Sequence, residues 1–152
     1  MARPHREQIA GGMFHVTSRG NRRQSIYHDD DDRRQFLILR DRVVRLCAWR
    51  VLAYCLMTNH FHLLIETPAP NLSAGMHRLN SSYAKYFNER YSVDGHLFDR
   101  RFGSRLVETE EHLNDALRYI AFNPVEAGLC AHPREWRWSS FFGVDHSFLF
   151  ER

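Results

Sequence analysis

Lysine is almost missing from this chain. Lys85 is the only one, although Lys and Arg together number 21 against 18 Asp and Glu. Nearly all positive charge is therefore arginine. No C-x-x-C pair occurs, and the cysteines, Cys47, Cys55 and Cys130, are odd in number and widely spaced. That spacing argues against a zinc finger and leaves Cys47 and Cys55 reading as buried thiols in a reducing compartment. No apolar run reaches membrane-spanning length; Val51 to Leu56 is only a short stretch after Arg50. The opening Met-Ala-Arg-Pro-His-Arg-Glu lacks the apolar centre of a signal peptide. These absences predict a cytoplasmic protein with no membrane partner. Repeats and low-complexity linkers are also absent. A chain of 152 residues is long enough for one ordinary core and short for two. One domain over 1–152 is expected, with its core at about 11–142 and an unassigned tail at 145–152.

The arginine bias has a chemical meaning. A guanidinium is a planar fork that binds phosphate and guanine edges through two donors at once. A net charge of +3 and a sequence pI near 9.0 are compatible with nucleic acid. A GC-rich genome choosing arginine codons explains the composition equally well, so motifs must decide.

Gly11-Gly12 opens a strand, Met13 to Arg19, which Gly20-Asn21 breaks before Arg22-Arg23. Asp29 to Asp32 precede an amphipathic helix carrying Phe36, Leu37, Leu39, Val43, Val44 and Leu46, and read as its acidic start rather than as a metal site. Trp49 to Met57 is rich in strand formers, and Thr58-Asn59 turns it into a second strand that Pro68 and Pro70 end. Met76, Leu79, Tyr83, Tyr86 and Phe87 recur at helical spacing between Leu72 and about Tyr91. His96 to Val107 reads as extended. A third helix starts at Thr109-Glu110-Glu111-His112, with Pro124 and Gly128 at or beyond its end. Trp136, Trp138, Phe141 and Phe142 are expected to pack back on the domain. The order β-α-β-β-α-β-α predicts an α+β, ferredoxin-like antiparallel sheet with helices packed mainly on one face and the strand of residues 60–66 in its centre.

That strand, His60-Phe61-His62-Leu63-Leu64-Ile65-Glu66, carries the first chemical signal. Alternation puts His60, His62, Leu64 and Glu66 on one face and Phe61, Leu63 and Ile65 on the other. Two imidazoles at fixed spacing on a rigid strand begin a divalent-metal site. Tyr119 and Asn123 stand at i and i+4 on the third helix and share a face. A metal near such a tyrosine offsets charge at a scissile phosphate. The resulting phenolic ester stays reactive enough for later rejoining. Asn123 can complete the metal site through its amide oxygen, and the mixed N/O set suits Mg2+ or Mn2+. Tyr83, Tyr86 and Tyr91 are rival nucleophiles; Tyr83 and Tyr86 fit an apolar helical stripe, with core packing as their default. His15, His77, His96 and His112 have no distinct partner in the sequence and receive no role.

Met57-Thr58-Asn59-His60-Phe61-His62-Leu63-Leu64 resembles the His-hydrophobic-His (HUH) motif of single-tyrosine transposases. Leu117-Arg118-Tyr119-Ile120-Ala121-Phe122-Asn123-Pro124-Val125 resembles their tyrosine helix. Gly95-His96-Leu97-Phe98-Asp99-Arg100-Arg101-Phe102 and Trp136-Arg137-Trp138-Ser139-Ser140 are similar to segments of the REP-associated branch of that family. The resemblance implies metal-dependent cleavage and rejoining of single-stranded DNA through a 5′-phosphotyrosine, leaving a free 3′-hydroxyl. It implies Tyr119 as nucleophile and His60, His62 and Asn123 as ligands of Mg2+ or Mn2+. It implies REP-like DNA hairpins with a short single-stranded guide as partner, bound by a monomer or a homodimer.

Arg19, Arg22, Arg23, Arg100, Arg101 and Arg105 are the candidate DNA contacts. Two other readings compete. One is a non-catalytic, arginine-rich nucleic-acid-binding module with structural histidines. The other is a zinc hydrolase in which water replaces the tyrosine.

Overall fold

The computed structural model describes residues 9–144. The opening residues read above for a signal peptide, and the tail at 145–152, lie outside the described residues. The chain runs β1 (Gly12–Arg19), α1 (Asp30–Cys47), β2 (Arg50–Leu56), β3 (His60–Thr67), α2 (Leu72–Tyr91), β4 (Gly103–Leu106) and α3 (Glu110–Glu126). The strands form one antiparallel sheet in the order β2-β3-β1-β4. β3 is central, as its pattern predicts.

Alternation builds the layers. Phe14 and Val16 of β1 and Phe61, Leu63 and Ile65 of β3 point to one face. There they meet Phe36, Leu39 and Val43 of α1 and Leu72, Met76, Leu79 and Tyr83 of α2. Phe61, Leu63 and Ile65 are completely buried. Burying a side chain of this size contributes about 1.5–3 kcal/mol. The opposite face is not wholly open. Ala116, Ile120 and Ala121 of α3 pack there on Ala53, Cys55, Met57 and Leu64. Two helices thus cover one face, and α3 crosses the histidine face.

Four sequence expectations need correction. The extended segment from His96 to Val107 is a strand only over Gly103–Leu106. Asn21 N–H donates to Leu97 C=O and Asp99 N–H donates to Arg19 C=O, which bends the chain before β4 begins. α3 does not stop at Pro124 but holds it inside. The missing N–H there costs one bond near the end of the helix, while Ala127 N–H still closes on Asn123 C=O. Phe142 is 49% exposed, in contrast to Trp138 and Phe141, which are buried. Cys47 is half-buried rather than buried.

The acidic run is a helix start, as expected, and more. Asp29 caps α1 by accepting from Asp32 N–H at 3.0 Å. Asp32 is fully buried. It accepts from Tyr91 Oη at 2.5 Å, Arg90 Nη1 at 2.6 Å, His28 N–H at 2.8 Å and Tyr86 Oη at 2.9 Å. Arg90 also pairs with Asp29 at 2.7 Å, so this cluster ties the start of α1 to the end of α2.

Asp32→Ala leaves several donors without an acceptor and is expected to cost about 3 kcal/mol, read as a lower urea midpoint. The Arg90 hydrogen bonds hold the Asp29 carboxyl down to about 2, from an ordinary 3.8. A depressed carboxyl stabilises the fold above its unfolded value. Stability should therefore fall as pH drops from about 4 towards 2, and less steeply in Asp29→Asn.

Candidate active site

The histidine face of the sheet, α3 and the bend before β4 enclose a cleft of about 630 Å³. Its floor is set by strand register. In the β1–β3 pairing, Thr17 lies opposite His62 and Arg19 opposite His60. The β1–β4 pairing sets Gly103 against Thr17 and Arg105 against His15. At Gly103 a Cβ would lie 3.2 Å from Thr17 Oγ1, a tight approach that asks the threonine to give by a few tenths of an ångström.

His60 is half-buried and His62 buried, with ring centroids 5.0 Å apart. Asn123 brings its Oδ1 to 3.2 Å from His60 Nε2. Tyr119, one turn earlier on α3, holds its ring 5.5 Å from that of His62 and 5.7 Å from that of His15. Its side chain is 53% exposed, open to an incoming strand. The structure thus brings Tyr119, His60, His62 and Asn123 together.

The rival tyrosines do not reach the cleft. Tyr83 Oη donates to Ile26 C=O at 2.5 Å in the core, and Tyr86 Oη donates to Asp32. Of the candidate DNA contacts, Arg19, Arg100, Arg101 and Arg105 line the cleft. Arg22 and Arg23 do not. They are exposed on a short turn after β1, both in the left-handed backbone region with φ of 54° and 59°. Phe102 is buried and Phe98 packs edge-on against Phe61, so both serve the core.

Sequence reasoning missed His15. Its Nε2 lies 3.0 Å from His62 Nδ1, and it lines the cleft with His112 and Asp115. The signal was there in the alternation Met13, His15, Thr17, which shares the histidine face. It became readable only once the β1–β3 register was known. Asn59 was also missed; its Oδ1 lies 2.7 Å from His60 Nδ1.

The cleft disfavours imidazolium. Burial, reinforced by the charges of His60 and His15, pushes His62 down to about 3. Burial, with Arg105 and His112 adding, pushes His15 down to about 4. Burial also lowers His60, and the amide of Asn123 opposes that shift. Neutral imidazoles are the form that binds metals.

Do these residues fit a divalent ion? Among the described residues, no three side chains of His, Cys, Asp or Glu converge as a metal-binding group. An ion here would take two imidazoles and the Asn123 oxygen, leaving positions for substrate oxygens. One observation supports the fit: His62 Nε2 is buried and has no hydrogen-bond partner among the described residues. A buried nitrogen without a partner is costly unless something else meets it.

A fold with a four-stranded sheet, paired imidazoles on its inner strand and a tyrosine on a helix across them defines a class. The family model described as Transposase IS200 like matches residues 9–123, and the chain belongs to that family. Within it, the REP-associated branch recurs among the relatives. A Haemophilus influenzae protein named "Putative REP-associated tyrosine transposase" is 28% identical over 105 residues, covering 61% of this chain and 59% of that protein. The chain thus spans about three fifths of that relative's length. A solved structure of a REP-associated tyrosine transposase bound to a REP hairpin superposes with a TM-score of 0.76 at 20% identity, covering 93% of this chain and 83% of the other. The tRNA(His) guanylyltransferase of Saccharomyces cerevisiae shares the fold more loosely, with a TM-score of 0.52 at 10% identity, covering 93% of this chain and 76% of that one. One sheet therefore serves different chemistries, and function must be argued from the site. No helix among the described residues is long and apolar enough to cross a membrane.

The depressed imidazoles carry a sign. The unfolded chain takes up protons near 6.5, whereas the folded His15 and His62 wait until about 4 and about 3. Stability of the metal-free protein should therefore fall as pH drops below about 6.5 and keep falling towards 3. NMR titration should find both rings neutral from pH 7.5 to about 5; a midpoint near 6.5 for either would contradict the burial argument.

Proposed function

We propose that this chain is a single-tyrosine DNA transposase. It cleaves and rejoins single-stranded DNA beside a REP-like hairpin through a 5′-phosphotyrosine, using Mg2+ or Mn2+ held by His60, His62 and Asn123. The observation that carries the reading is the exposed Tyr119 ring 5.5 Å from the His62 ring, on the helix that also brings Asn123 to His60.

The chain's own groups divide the work. The Tyr119 oxygen attacks phosphorus, forms the phosphotyrosine bond and gives up its proton, while the 3′-oxygen leaves and is protonated. Rejoining reverses the sense: a 3′-hydroxyl attacks the same phosphorus and the phenol oxygen departs. A phenolate leaves more readily than an alkoxide, so the bond energy is kept without a nucleotide triphosphate. A bound divalent ion supplies polarisation of the phosphate and offsets charge in the transition state. Arg19 stands across the strand pair from His60, and Arg100, Arg101 and Arg105 line the same cleft. These four are suited to the phosphates of the strand being cut. Arg22 and Arg23, outside the cleft, are suited to the hairpin or guide. The REP hairpin in the related structure supports this choice of partner.

Tyr119→Phe should bind hairpin DNA normally and form no covalent adduct on a denaturing gel. Normal cleavage by this variant would overturn the assignment and favour attack by water. His60→Ala combined with His62→Ala should abolish both activity and its dependence on added Mn2+. Arg105→Ala should weaken binding across sequences and reduce the slope of log affinity against log salt by about 1.

A further inference from the structure

Both imidazoles turn Nδ1 towards a side chain outside the proposed ligand set. The amide of Asn59 is oriented by Arg23, because Asn59 Nδ2 donates to Arg23 C=O at 3.3 Å. Its Oδ1 therefore faces His60 Nδ1 at 2.7 Å. An amide oxygen only accepts, so His60 Nδ1 carries the proton and Nε2 is a bare lone pair. That lone pair faces another acceptor, Asn123 Oδ1, at 3.2 Å. Two acceptors so placed repel unless a positive charge lies against both or the Asn123 amide turns its Nδ2 to the ring.

His62 repeats the arrangement with a different partner. Its Nδ1 lies 3.0 Å from His15 Nε2, and its own Nε2 is buried without a partner among the described residues. A proton on His62 Nδ1, donated to His15, leaves Nε2 bare and available. The reverse placement buries an N–H whose acceptor at hand, the Asn123 amide, does not meet it at hydrogen-bond distance.

We propose that Asn59 and His15 are positioning residues, each holding the Nδ1–H tautomer of one imidazole so that both Nε2 lone pairs point at one divalent cation. The proposal rests on the metal reading above and adds residues that are not themselves ligands. Asn59 has a second attachment, since Gly20 N–H donates to its backbone carbonyl at 2.8 Å. It thereby fastens the turn bearing Arg22 and Arg23 to the edge of His60.

Free histidine in water favours the opposite tautomer, so the bias is measurable. Nitrogen-15 NMR of the metal-free protein should find Nε2 of His60 and His62 unprotonated and Nδ1 protonated. Asn59→Ala and His15→Ala should each return one ring to a tautomer mixture and weaken Mn2+ binding about 10- to 100-fold, read from the free Mn2+ EPR signal. His15→Gln, whose side-chain oxygen can accept from His62 Nδ1, should restore most of that affinity in a folded protein. A protonated Nε2 on either ring in the wild type, or unchanged Mn2+ affinity in both alanine variants, overturns the proposal. If the wild type has the stated tautomers but binds no Mn2+, the metal reading fails while the control of ring orientation stands.

Discussion

The antiparallel pairing of β1 with β3 sets Thr17 opposite His62 and Arg19 opposite His60, and the geometry of the cleft follows from it. A slip of one residue would turn both histidines into the α1–α2 core and Phe61 and Leu63 out of it. What prevents the slip is apolar burial on the far side of the sheet, where Phe61, Leu63 and Ile65 are completely enclosed. The chemistry on one face is thus held in place by packing on the other. α3 completes the arrangement. Its small residues Ala116 and Ala121 let the helix lie close against Ala53 and Leu64, and that contact brings Tyr119 and Asn123 down to the imidazoles.

The environment also sorts the tyrosines. Burial raises Tyr83 well above the ordinary phenol range and raises Tyr91 as well, with the Asp32 carboxylate adding to the latter. Phenols held protonated in this way are poor nucleophiles. Their hydroxyls stabilise the structure instead, by satisfying Asp32 and the Ile26 carbonyl. Tyr119 alone among the candidates combines exposure with proximity to the imidazole pair.

Much of this was legible in the sequence, for physical reasons. Alternation and helical spacing are local properties, so β3, α2 and the acidic start of α1 read correctly from residues alone. The pairing of Tyr119 with Asn123 was legible because i and i+4 share a helix face. Contacts that depend on register were not. His15 looked idle because nothing local says that β1 lies beside β3. Asn59 looked like a turn residue, which it is, and its side-chain task depends on the Arg23 carbonyl brought round by the β1–α1 turn. Pro124 misled because its effect on a helix depends on whether the lost bond falls near the end. Arg22 and Arg23 shared a charge pattern with Arg19, yet a sharp left-handed turn carries them away from the cleft.

The segment after α3 returns along the outer margin of β2. Leu56 N–H donates to Trp138 C=O, Ser140 N–H donates to Tyr54 C=O, and Tyr54 N–H donates to Ser140 Oγ. Trp136 Nε1 adds a further bond to Leu56 C=O at 3.0 Å. A row of backbone groups that would otherwise invite a foreign strand is thereby already engaged. Among the described residues, growth of the sheet by strand addition, whether in self-association or in aggregation, is left with the four-residue β4, a much shorter template.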